Sequence, residues 1–161
     1  MLKKIISGGQ PGAARAALDW AISHQLPYGG WCPRWRHMHD GVLDERYAEL
    51  KESTLPIYSQ AKEWNVRDSD GTLVFTLEEN LDSFTRKTVD FARKHEKPCH
   101  HICGTGYESA EDLLHFINRN HIETLNIAGS HDSEELGIYI YVVDLLNEAF
   151  PQHLTKNQPH P

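Results

Sequence analysis

Cysteine is scarce: Cys32, Cys99 and Cys103 are the only three in 161 residues. Three thiols cannot build the disulfide framework of a small secreted domain, and an odd number leaves one over. Long apolar runs are missing too. The longest, Ile138 to Val143, stops at Asp144, whereas a membrane-spanning helix needs ~20 apolar residues. Met1 to Ile6 lacks the apolar stretch of a signal peptide, so the expectation is a cytoplasmic protein. Positive charge is not in excess: 16 Lys and Arg stand against 23 Asp and Glu, a formal charge of −7. That balance opposes binding to nucleic acid or to an anionic membrane. It leaves room for one bound phosphate, which backbone N–H groups can hold locally. Internal repeats and linkers are absent as well, and the length suits one domain. The domain is expected over residues 1–150, with a tail over 151–161 that frays.

What is present is an alternation of strand and helix patterns. Strands are expected at Lys4 to Ser7, Tyr28 to Cys32, Thr72 to Leu77, Pro98 to Cys103 and Leu125 to Ala128. Helices are expected at Ala13 to His24, Ile57 to Val66 and Ser83 to His95, then from Ser109 and from Ile138 to Phe150. Arg34 to Thr54 shows little pattern, and a section of that length is either functional or mobile. Strands separated by helices pair in parallel. The expected fold is therefore α/β, a Rossmann-like, doubly wound, mainly parallel sheet of about five strands. Ligands of such sheets sit beyond the carboxyl ends of the strands.

Several constellations could carry chemistry. Ser7-Gly8-Gly9-Gln10-Pro11-Gly12 lies between a strand and a helix, where glycines and free N–H groups suit an anion. It is not G-x-G-x-x-G, and no Gly-Lys-Ser/Thr follows, which excludes a Walker-type loop; a plain tight turn is the alternative. In Glu63 to Gly71, Asn65 and Arg67 could hold a heterocycle or a phosphate, or the run could be an Arg–Asp pair and a turn at the amino end of a strand. Cys99-His100-His101-Ile102-Cys103 places Cys99, His101 and Cys103 on one strand face. It reads either as a zinc or copper site or as small apolar packing. Ser130-His131-Asp132 collects the residue types of a hydrolytic triad, but sequence neighbours seldom reach that geometry, and a ligand-contacting loop or helix cap fits better. The last helix is apolar on nearly all sides, so it is either sandwiched in the core or shared with another subunit.

The segments Ile5-Ile6-Ser7-Gly8-Gly9-Gln10, Arg15 to Asp19, Gly29-Gly30-Trp31-Cys32-Pro33, Trp64 to Thr72, Asn126-Ile127-Ala128-Gly129 and Gly137-Ile138-Tyr139 together resemble the putative molybdenum carrier family. That group lies within the SLOG superfamily of Rossmann-like nucleotide-ligand proteins. The resemblance spans about Ile5 to Phe150 and is most specific in Trp64 to Thr72. It implies a homo-oligomer with a pocket for a phosphate-bearing ligand, molybdenum cofactor or a nucleotide. The implied contacts are Ser7, Gly8, Gly9, Gln10, Gly12, Arg15, Trp31, Asn65, Arg67, Asp70, Thr85, Thr88, Gly129, Ser130 and Ser133.

The chain departs from the family pattern in its loops. Pro11 replaces a Thr and Ala14 an Asp. Ser83-Phe84-Thr85 stands where a second Gly-Gly-Thr/Ser loop is usual, and Ser130-His131 replaces Pro-Arg. Each change weakens anion binding, which implies a divergent member with a weakened or altered site. The resemblance favours a non-enzymatic binding protein. The alternatives are a nucleotide hydrolase of the SLOG type, using Asp68, Asp70 or Glu134, and a metal protein using Cys99, His101 and Cys103.

Overall fold

The computed structural model describes residues 1–106 and 108–153. Eight strands form: β1 (Lys4–Ile6), β2 (Tyr28–Cys32), β3 (His37–Met38), β4 (Gly41–Val42), β5 (Leu50–Glu52), β6 (Gly71–Thr76), β7 (Cys99–Cys103) and β8 (Thr124–Gly129). Five α-helices connect or follow them: α1 (Ala13–Ser23), α2 (Tyr58–Arg67), α3 (Ser83–Lys94), α4 (Ala110–Arg119) and α5 (Ile138–Ala149). Six strands make one sheet in the order β5-β2-β1-β8-β6-β7, parallel throughout, and β3 with β4 is a separate small hairpin.

The sheet therefore has six strands where the sequence suggested about five. The addition is β5, inside the section that carries no pattern. It is Leu-Lys-Glu on the edge of the sheet with two of its side chains exposed. An edge strand of this kind has no buried run to betray it. The central β6 is the opposite case. All of its residues are buried, as strands covered on both faces are, so its apolar run was readable.

The two faces of the sheet differ in chemistry. On one face, Ile5, Leu73, Phe75, Ile102, Leu125 and Ile127 form the main core with α1, α4 and α5. Ala13, Ala16, Ala17 and Ala21 let α1 sit close to this layer, and Trp20 is buried against it. The indole of Trp20 donates to Asn147 Oδ1 at 2.9 Å, which pins α1 to α5. Strand alternation sends Thr72, Thr76 and Asn126 to the other face, the face covered by α2 and α3. There Asn126 Nδ2 donates to Thr72 Oγ1 at 3.1 Å. One layer is thus apolar, and the other has a buried polar seam.

The inward side of α5 is Ile138, Val142, Leu145, Leu146 and Ala149. Its apolar girth is largely packed within one chain, and Ile140 is its one large exposed apolar residue. Residues 151–153 form a single 3₁₀ turn; the remainder of the expected tail, from residue 154, lies outside the described residues. Among the described residues no helix is long and apolar enough to cross a membrane.

At the amino ends of the strands, Asp70 holds the start of β8. Its Oδ2 accepts the backbone N–H groups of Glu123 at 3.0 Å and Thr124 at 2.8 Å. Losing a charged acceptor of two backbone donors costs about 1–3 kcal/mol. Asp70→Ala should therefore lower the unfolding free energy by that much, read as a lower urea midpoint at unchanged slope, without changing ligand binding at the opposite end of the sheet. An unchanged midpoint would contradict this structural role.

Candidate functional site

The sheet reverses its direction of winding between β1 and β8. From β1 the chain passes through α1 to β2 on one side, and on the other side of β8 lies β6, which leads through α3 to β7. A crevice opens beyond the carboxyl ends at such a point. The loop after β1 and the loop after β8 meet there closely. Gly12 bridges to His131, and Ala13 N–H donates to Ser130 O at 3.1 Å. Gly12 has φ +120°, and a Cβ there would collide with Ser130 O; Gly129 has φ +154°, and a Cβ would collide with Phe75 O. Only glycine fits both positions.

Between this crossing and α2 lies a cleft with about 450 Å³ of empty space out to its open mouth. Tyr58, Ala61, Lys62 and Asn65 of α2 form one wall, and Gly8, Gln10, Ala14, Pro33, Phe84 and Asn126 to Gly129 contribute the rest. Their spacing of three and four residues puts those α2 side chains on one helix stripe. At the mouth His39, Tyr58, Phe84 and His131 gather. The His39 and His131 rings are 4.3 Å apart between centroids, and Phe84 to His131 is 4.7 Å.

Several buried polar atoms here have no partner: Gln10 Nε2, Asn126 Oδ1, Thr85 Oγ1 and His131 Nε2. Gln10 is fixed from its other end, its Oε1 accepting His39 N–H at 3.1 Å. Asn126 is fixed likewise by Thr72. Buried polar groups are nearly always paired in native proteins. A cleft that holds both an idle donor and an idle acceptor is therefore suited to a polar ligand.

The residues expected to bind fall into three sets. Gly8, Gln10, Asn65 and Gly129 line the cleft, and Thr88 reaches it through Lys62, whose Nζ donates to Thr88 Oγ1 at 3.1 Å. A second set supports the walls. Ser7 Oγ donates to Ala14 O at 2.8 Å and accepts Gly9 N–H at 3.2 Å. Asn65 clamps the backbone of Trp31, accepting its N–H and donating to its carbonyl, both at 2.8 Å. Gly9, Gly12 and Ser130 shape the crossing. The third set points elsewhere. Arg15 donates to Gly9 O and ion-pairs with Asp40. Arg67 pairs with Asp68, which also accepts the Trp31 indole at 2.7 Å. Arg67 and Asp70 sit at the amino ends of the strands, away from the cleft, and Ser133 is exposed in a turn. Of the N–H groups in and just after the first loop, Gly9 bonds to Ser7, and at the start of α1 Ala13 donates to Ser130 O and Arg15 to Gln10 O at 3.0 Å.

Lys62, His39, Tyr58 and Asn126 were not among the expected contacts. The signal for the first was available in the helix itself, since positions 58, 61, 62 and 65 recur at the period of one face. Asn126 stands within a run of apolar strand residues, Leu125-Asn126-Ile127-Ala128.

The acids proposed for hydrolysis are not assembled. Asp68 and Asp70 are at the far end, and Glu134 shares a hydrogen bond with Asp82 at the rim. Burial and that contact push Glu134 above the usual carboxylate range. Burial opposes ionisation of Asp82 as well, but the N–H of Thr85, at 2.6 Å, helps hold it below that range. Asp82 thereby occupies the amino end of α3 with the protein's own negative charge. On β7, His101 Nε2 meets Thr76 Oγ1 at 2.6 Å, Cys103 contacts Leu77 O, and burial pushes the Cys99 thiol up to about 11. Among the described residues no group of three or more His, Cys, Asp or Glu is placed to hold a metal ion.

This is an α/β protein with a cleft at the winding reversal of a parallel sheet. The chain matches the profile of the circularly permutated YpsA SLOG family over residues 5–150, and it belongs to that family. A solved structure from Syntrophus aciditrophicus SB, named a putative molybdenum carrier protein, superposes with a TM-score of 0.85 at 43% identity, over 92% of this chain and 94% of that one. (E)-4-Hydroxy-3-methyl-but-2-enyl diphosphate reductase matches at 10% identity with a TM-score of 0.37, over 96% of this chain and 59% of the other, too slight a likeness to inform the fold. No match is found among curated proteins.

Burial, then the neighbouring His39 and Lys62, lowers the His131 imidazole to about 4. The unfolded chain takes up a proton there near pH ~6.5, while the native chain resists. Stability should therefore fall as pH drops from about 6.5 to 4, because the unfolded state binds more protons in that window. His131→Gln should make this part of the stability–pH curve shallower. Superimposable curves for variant and wild type would count against a buried neutral His131.

Proposed function

We propose that the chain binds a small phosphate-bearing ligand, a nucleotide or the molybdenum cofactor, in this cleft and acts as a binding protein. The observation that carries the reading is the pair of fixed, buried and unpartnered groups, Gln10 Nε2 and Asn126 Oδ1, on two residues that line a cleft at the winding reversal. A planar heterocycle offers a matching acceptor and donor at its edge. Tyr58 and Phe84 supply ring surfaces beside it. The absence of a metal-holding cluster among the described residues suits a cofactor gripped through its organic and phosphate parts. The family membership and the name of the Syntrophus protein point the same way.

Native mass spectrometry of the purified protein with nucleoside monophosphates and with molybdenum cofactor tests the reading. A stoichiometric mass increment is expected, its apparent affinity reduced about fivefold or more by Asn126→Leu, since a lost polar contact is worth about 1–3 kcal/mol. An increment that survives unchanged in that variant would place the ligand elsewhere, and release of a cleaved product would replace the binding role by hydrolysis.

A further inference from the structure

Lys62 is the only charged residue lining the cleft among the described residues. Its Nζ meets the Thr88 hydroxyl at 3.1 Å and lies 3.7 Å from the centroid of the Phe84 ring. No carboxylate within ion-pair distance of it is found among the described residues, in contrast to Lys3 and Lys94, which pair with Glu123 and Glu63. Exposed lysines keep water around the ammonium. Here a hydroxyl and an aromatic face replace most of that hydration, so the charge is both desolvated and uncompensated. Arg15, the other cation nearby, faces Asp40, and the amino end of α3 already holds Asp82.

We propose that Lys62 is the counter-charge for the anionic group of the ligand, and that it takes up a proton as that anion enters. The inference rests on the cleft being the binding site and adds which residue carries the charge and how solution pH governs binding. Burial lowers the amine to about 7, with Lys87 adding repulsion and Asp82 opposing. In the empty cleft above neutral pH the amine is mostly neutral, which spares the protein an unpaired buried charge. A phosphate dianion beside it favours the protonated form. The remaining titratable groups around it are His131 and His39 at the mouth and Glu134 beside Asp82. His131 stays neutral above its value of about 4. Proton uptake between pH 7.5 and 8.5 that Lys62→Arg abolishes therefore reports Lys62.

The experiment is titration calorimetry of the full chain with adenosine monophosphate, in Tris and in HEPES, from about pH 7.5 to 8.5. The second phosphate pKa is ≈ 6, so the probe stays dianionic throughout. The heat difference between buffers should give about one proton taken up per ligand, and Kd should rise ~tenfold per pH unit. Lys62→Arg keeps a charge that does not titrate, so it should bind with no proton uptake and a nearly flat pH profile. Lys62→Met, an apolar residue of similar shape, should fold and lose most of the affinity at pH 7.5. Wild type that binds without proton uptake, or Lys62→Met that binds as tightly, would overturn the role of Lys62 while leaving the cleft as the site, provided Asn126→Leu still weakens binding. No heat with adenosine monophosphate or with sulfate would overturn the cleft reading itself.

Discussion

The close crossing of the two loops at the winding reversal is the constraint on which the rest of the site depends. Gly12 and Gly129 bring the loop after β1 against the loop after β8, leaving no room for a Cβ at either position. That contact fixes where Gln10 emerges and where Asn126 ends its strand. The cleft beside the crossing opens toward α2. The cleft is a consequence of this geometry rather than a surface irregularity.

A second consequence is the division of labour between the faces of the sheet. The layer built on α1, α4 and α5 is apolar and carries the stability of the fold. The layer under α2 and α3 contains Thr72, Asn126, Asn65, Thr85 and Thr88, all buried. Polar groups in such a place destabilise unless they are bonded. Asn65 and Thr72 are bonded within the protein, whereas Asn126 and Thr85 each keep an idle atom. The section from Arg34 to Leu50 closes over this region with little regular structure. It is held by Arg36, which donates to the carbonyls of Leu43, Asp44 and Tyr47, and by Gln10 accepting from His39.

The fold was largely legible because its signals are local. The buried run of β6, the Ala-rich α1 and the capping box of Ser109 and Asp112 all announce themselves in a few residues. The short edge strand β5 did not, since Leu50-Lys51-Glu52 has no alternation and a single apolar residue. The site was half legible. Glycines that a turn requires were visible, and Gly8, Gln10, Asn65 and Gly129 do line the cleft. Arg15 and Arg67 carried the right charge for a phosphate, but nearby acids, Asp40 and Asp68, engage them, and such pairing depends on tertiary placement. Lys62 was overlooked for the complementary reason: an isolated lysine on a helix reads as solvated, and only the packing of α2 against α3 shows that it is not.

The account is tested most directly by mapping amide and side-chain shifts of the labelled protein as a phosphate-bearing ligand is added. Perturbations are predicted at Gly8, Gln10, Lys62, Phe84 and the side-chain amide of Asn126, with Arg67, Asp70 and the edge strand β7 unaffected. Shifts centred on Cys99 to Cys103, or on the amino ends of the strands around Arg67 and Asp70, would contradict a cleft at the winding reversal as the seat of function.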